Sequence, residues 1–200
     1  MESRNNSDDS IVFQNAFYDM KSGELINPIC TQNYGIVQVA DSYYPSEFRI
    51  LPHVQCCELE ITLVARGTLS VWTDKSKTEL KKGDAHLCFR GELHELICYP
   101  GVRFQTLAFN TVKESEAEAL VKELLCQKRR IYKSARLFDI FSGILSEFHD
   151  TGFAFRSMSL DSLISSALVS IASEARGRAQ IFSYSPEELV TKALNFMDNR

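Results

Sequence analysis

Two hundred residues suffice for one domain with a sizeable core, or for one domain with a small helical appendage. Hydrophobic residues at 44% and charged residues at 24% are the proportions of an ordinary soluble globular protein, and no apolar run is long enough to span a bilayer. A net charge of -4 leaves no basic excess for gripping duplex phosphates, which excludes nucleic-acid binding by these residues alone.

The first ten residues, Met1 to Ser10, are polar and are expected to form a disordered tail. They lack the basic and apolar regions of a secretory signal, so the expected location is cytoplasmic, with the six cysteines reduced. From Ile11 to Cys30, Phe13, Phe17, Tyr18, Leu25 and Ile26 are interrupted by Lys21-Ser-Gly23 and Pro28, which predicts an arm lying across a domain surface. Tyr34 to Ala40 reads as a strand, and Pro45 and Pro52 bracket an edge-like strand, Phe48 to Leu51. Next come His53 to Gly67, Thr68 to Thr73 and Gly83 to His94. Their runs of Leu, Val, Ile and Thr are too short for helices and end at Gly, Asp and Lys turn clusters, so each predicts β-structure.

After Asn110 the periodicity changes. Lys113 to Cys126 carries Ala117, Leu120, Val121, Leu124 and Leu125 at helical spacing. Ser134 to His149 predicts a second helix, with Gly143 inside it at some cost, and Asp150-Thr-Gly152 as its stop. The third, Leu160 to Arg176, is the most apolar. Its stripe of Leu160, Leu163, Ile164, Ala167, Leu168 and Ile171 is wide enough to predict a contact with a second copy as well as packing within the chain. Residues 177–186 read as a linker. Ser185-Pro-Glu-Glu188 is then a strong helix start, with Ser at the N-cap and Pro at the first helical position.

Two stretches resemble the paired motifs of the cupin superfamily. The first of these motifs places a Gly before His-x-His, then an acid and a closing Gly; here His53, Gln55, Glu60 and Gly67 hold the last four places. Gly83, Gly91 and His94 match the second motif, while Gln55, Phe89 and Cys98 depart from the usual His, Pro and Asn. The resemblance covers residues 34–110. It implies a double-stranded β-helix barrel, giving a mainly β plus α chain with a small set of C-terminal helices. The order of parts, a barrel, two or three helices, a linker and the helix Val190 to Asn199, resembles the AraC/XylS transcription regulators. That resemblance implies four regions: the tail, an arm and sensor barrel over 11–110, a helical dimerisation region over 111–176, and at 177–200 a linker and the first helix of a truncated DNA-binding domain.

On this reading a small-molecule effector sits in the barrel, with Arg49, His53, Gln55, Glu60 and His94 as polar contacts and Trp72 and Phe104 as walls. The chain is then a homodimeric sensor, not an enzyme, and reaches promoter DNA only through the missing domain. No cofactor is expected, although His53, Glu60 and His94 form the minority alternative of a metal set. The rival function is a free-standing cupin metalloenzyme, a dioxygenase or isomerase, using those three residues. A third is a pure dimerisation module with a filled barrel. His53, Gln55 and Glu60 cannot all point inward from an unbroken strand, so a bulge is expected near Cys56-Cys57. Adjacent Cys56 and Cys57 make a poor chelate, Cys88 and Cys98 read as buried structural thiols, and His86 and His149 are assigned no role.

Overall fold

A computed structural model of the chain describes residues 11–16, 29–73, 76–149 and 155–176. The expected disordered tail, much of the arm, the Asp150-Thr-Gly152 stop and the 177–200 linker and helix lie outside the described residues.

Eleven strands and three helices follow in order among the described residues. The strands are β1 (Ile11–Ala16), β2 (Ile29–Cys30), β3 (Tyr34–Tyr44), β4 (Phe48–Val54), β5 (Leu59–Arg66), β6 (Thr68–Thr73), β7 (Ser76–Lys81), β8 (Asp84–Phe89), β9 (Leu93–Cys98), β10 (Val102–Thr111) and β11 (Ile131–Lys133). The helices are α1 (Glu116–Cys126), α2 (Arg136–His149) and α3 (Arg156–Ala175). A large sheet runs β1-β3-β10-β5-β8-β11, with β2 also on β3, and a smaller one runs β4-β9-β6-β7. Every pairing is antiparallel. Taking β3 to β10 alone, the two sheets have the strand order of a jelly roll, the double-stranded β-helix of cupins.

Period-two alternation distributes the side chains of the large sheet. On β5, Leu59, Ile61 and Leu63 face the helices, while Glu60, Thr62 and Val64 face the small sheet. All six are buried because both faces are covered, which is why the strand reads as a continuous core segment. The main core is therefore the layer between the large sheet and the helices, where Phe89, Phe109, Phe141, Ile144 and Leu168 meet. A second cluster, with Tyr44, Leu69, Val71, Leu80, Leu96 and Phe104, fills one end of the barrel between the sheets. Gly67, at φ +75°, makes the turn from β5 to β6, and a Cβ there would stand 3.0 Å from the Val102 backbone.

Several expectations change. Residues 11–16 form a strand on the large sheet's edge rather than lying across its surface, pairing from Ile11↔Ser42 to Ala16↔Gln38. The polar β7 and the three-residue β11 add to the expected strands. His53 to Gly67 is not one strand: the chain leaves β4 after Val54, bends through residues 55–58 and restarts as β5 in the other sheet. The bulge lies upstream, between Ile50 and His53, where the β4–β9 register shifts.

The apolar stripe of α3 is covered by its own chain. Leu160, Ile164, Ala167, Leu168 and Ile171 are all fully buried in the main core, and Leu163 packs against it. They form an intrachain seam, not a free dimerisation face; the side of α3 turned to solvent carries Met158, Ser162, Ser166 and Val169. Three polar contacts pin this helix to the start of β3. Asp161 accepts from Thr31 Oγ1 at 2.6 Å, from Asn33 N at 2.8 Å and from Asn33 Nδ2 at 2.8 Å. No helix among the described residues is long and apolar enough to cross a membrane.

Candidate functional site

The bend at residues 55–58 and the alternation of β5, β8 and β9 bring a polar group together between the sheets. Gln55, Glu60, Thr62, His86 and His94 are all buried there. Gln55 Nε2 donates to Glu60 Oε2 at 2.8 Å, and Thr62 Oγ1 lies 3.4 Å from Glu60 Oε1. His94 Nε2 stands 3.5 Å from Glu60 Oε1, while its Nδ1 faces Cys88 Sγ at 3.2 Å. His53, paired with His94 in register, is exposed at the rim, where its ring lies 4.2 Å from the His94 ring and its Nδ1 is 2.9 Å from Leu51 O.

The electrostatics follow from this packing. Burial pushes the Glu60 carboxyl up, but the His94 ring, the Gln55 amide and the nearby His53 ring outweigh it, holding Glu60 below the usual carboxylate range. His86 is pushed down to about 4, chiefly by burial and then by the neighbouring His94. Burial raises the thiols of Cys57 and Cys88, with Glu60 adding to both, and pushes Cys98 up to about 12; these are protonated, packed groups. Cys56 is exposed beside buried Cys57, so adjacent thiols fall on opposite sides.

Cupin barrels suit an imidazole-and-carboxylate-bound metal, but these residues do not fit one. The Gln55 amide is engaged at both ends: its nitrogen is on Glu60, and its oxygen accepts from Cys57 N and Sγ, each at 3.2 Å. Among the described residues, no three His, Cys, Asp or Glu side chains are grouped to hold an ion. His53, Glu60 and His94 are neighbours, but His53 is a rim ring, Glu60 is held by an amide, and His94 faces a thiol through Nδ1 while its buried Nε2, 3.5 Å from Glu60, has no hydrogen-bond partner.

Of the seven expected effector contacts, Gln55, Glu60 and His94 converge inside, with His53 at the rim. Phe104 is buried at the filled end and stacks on Tyr44 at 5.9 Å, a core side chain more than a pocket wall. Two positions fall outside. Trp72 projects from the outer face of β6, 44% exposed, because alternation turns Leu69 and Val71 inward. Arg49 sits on the outer face of β4, 63% exposed, and ion-pairs with Glu95 of β9 rather than with the interior acid. His86 is the interior residue that motif reading missed. On β8 it shares the inward face with Cys88, opposite Thr62. The alternation Ala85-His-Leu-Cys-Phe89 was the available signal.

No family model and no curated protein matches the chain. Among solved structures it is similar to a cupin superfamily protein from Desulfitobacterium hafniense DCB-2. That likeness has 12% identity, covers 55% of this chain and 84% of that one, and has a TM-score of 0.38. It is also similar to KdgF from a Halomonas species (17%, 40% and 79%, TM-score 0.34) and to a predicted oxalate decarboxylase from Thermotoga maritima (20%, 38% and 68%, TM-score 0.34). At such scores none of these likenesses bears on this chain's chemistry.

Proposed function

We propose that this chain is the sensor and self-association region of an AraC/XylS-type transcription regulator of the cytoplasm, and that it is not an enzyme. A small effector is held in the barrel, and its binding biases the packing of α1–α3 and hence the placement of a C-terminal helix-turn-helix region on promoter DNA. The observation that carries this reading is the Gln55–Glu60 hydrogen bond. Where a catalytic cupin places a metal-binding imidazole, this chain places an amide that occupies the acid itself. A barrel so altered retains buried polar groups suited to binding, and a ligand with different affinities for two arrangements shifts their populations.

The helices offer a route for that shift. Asp161 of α3 holds the Thr31–Asn33 turn at the start of β3, and Tyr34 Oη lies 2.9 Å from Ser165 Oγ. Pairing of two copies, which the reading requires, falls to the solvent face of α3 around Ser162, Ser166 and Val169, since the apolar stripe is already covered. The test is the coding sequence that follows the Arg200 codon in the parent transcript. Two helix-turn-helix patterns are expected within the next hundred or so codons, about the length two such three-helix units need. A stop codon directly after Arg200 would overturn the assignment.

A further inference from the structure

Between the sheets, beside the polar group already described, the barrel is open along one seam. The inward faces of β6 and β7 contribute Val71, Thr73, Ser76 and Thr78 to a cavity of about 500 Å³. Its opposite wall is His86 of β8 and the strap 128–131 that runs from α1 into β11. Backbone pairing of that strap with β8, through Leu87 N to Arg130 O at 2.8 Å and Ile131↔His86, fixes its place at the opening.

The charge of this lining is one-sided. Lys128, Arg129 and Arg130 line the cavity, and no carboxylate does so among the described residues. Two of the three cations are braced from outside: Arg129 pairs with Glu174, and Arg130 pairs with Glu92 at 3.0 Å and lies over the Phe89 ring at 4.7 Å. Lys128 has no ion pair among the described residues. At the floor, His86 is only 5% exposed and makes no hydrogen bond among the described residues, although it faces the cavity. The ring is therefore available to a molecule that enters the cavity. The Thr73, Ser76 and Thr78 hydroxyls add donors, and Val71 and Ile131 add an apolar wall.

From these features we infer that the seam cavity is a binding site for a small organic anion, which enters between β7 and the 128–131 strap, hydrogen-bonds His86 and is neutralised by Lys128. It rests on the sensor reading only in naming this anion as the effector; the site itself stands on the cavity, the imidazole that faces it and the cationic rim. The position also places the ligand between the interior acid group and the segment leaving α1, so occupancy is felt by both.

The experiment is a titration of the whole chain with citrate, inorganic phosphate and glycerol at constant ionic strength, followed by the histidine ring and backbone amide resonances. His86→Gln identifies the His86 signal among the four histidines. Citrate is expected to move His86, Thr78 and Ile131 saturably, and glycerol to move none of them. If phosphate moves the same set as tightly as citrate, the site reads the anionic group alone; if more weakly, the organic body contributes. Lys128→Ala, an exposed substitution that leaves the fold intact, is expected to weaken citrate about fivefold, the worth of one partly screened charge. Shifts reproduced by sodium chloride alone, or citrate binding unchanged in both Lys128→Ala and His86→Gln, would overturn the inference. Absence of binding in a protein that does carry helix-turn-helix motifs would remove the seam site and leave the regulator reading standing. Binding in a chain that lacks them would do the reverse.

Discussion

Asp161→Ala tests whether α3 is clamped to the barrel as described. The carboxylate accepts three hydrogen bonds, from Thr31 Oγ1, Asn33 N and Asn33 Nδ2, at 2.6, 2.8 and 2.8 Å. A bond to a charged acceptor is worth about 1.5–3 kcal/mol when buried, and partial exposure here brings each below that range, to about 1 kcal/mol. The variant should therefore lose about 3 kcal/mol, read as a lower urea midpoint at unchanged slope. Asp161→Asn keeps one acceptor oxygen and should lose roughly half as much. Amide exchange at Val112, whose N–H donates to Asn33 O at 2.9 Å, should accelerate in step. Asp139→Ala, on an exposed part of α2, should stay within about 0.5 kcal/mol. A loss below about 0.5 kcal/mol for Asp161→Ala would mean that these contacts do not join the helices to the barrel, and the proposed signal route would go with them.

Other outcomes follow from the same packing. At Gly143 in α2, an added Cβ would meet Leu163 Cδ2 at 3.2 Å, so the helix-propensity gain of Gly143→Ala, about 1 kcal/mol, should be offset by crowding and leave the melting temperature almost unchanged. Gly143→Val should lower it clearly, because its γ-carbons cannot share that space. Gln55→Ala strands the buried Glu60 carboxylate without its amide donor and should cost about 1–3 kcal/mol in denaturant titrations. His86 sets a pH dependence. Its folded value of about 4 lies below the ordinary value of 6.5, so the unfolded chain binds the proton more readily. Its contribution is complete above pH 6.5 and is lost as pH falls toward 4, by about 3 kcal/mol in all. The difference in stability between pH 7 and pH 4 should shrink by about that amount in His86→Phe, and an unchanged difference would contradict the buried, neutral ring.

The fold was legible because alternation and turn residues survive in the strands that build the two facing sheets. Leu59, Ile61 and Leu63 against Glu60 and Thr62 is a period-two pattern that allows only a two-faced strand. What escaped was of three kinds. Ser76 to Lys81 has one inward apolar anchor, Leu80, and Ile131 to Lys133 is too short to show a period, so β7 and β11 have no signal of their own. An irregularity does fall at residues 55–58, around the expected Cys56-Cys57, but it is a crossing between sheets, a long-range property that spacing cannot show, and the register shift itself lies upstream between Ile50 and His53. The stripe on α3 was correctly seen as apolar, but amphipathicity does not say whether the sheet or another chain covers it.

The site divides in the same way. Gln55, Glu60 and His94 could be found by motif spacing, because the geometry of the barrel fixes those positions. Arg49 and Trp72 could not be assigned a face, since neither strand's inward side was known before its partners were. His86 was passed over for want of companion ligands in sequence. Its companions, Thr78 across the seam and the 128–131 strap, are brought to it by tertiary structure alone.

Metal content of the purified chain tests the account most directly, because the sensor reading rests on Glu60 being held by Gln55 instead of by an ion. After expression with iron, manganese, nickel and zinc supplied and gel filtration, well under about one-tenth equivalent of any metal is predicted, the occupancy of a site lacking three convergent ligands. One equivalent that disappears in both Glu60→Ala and His94→Ala would contradict it.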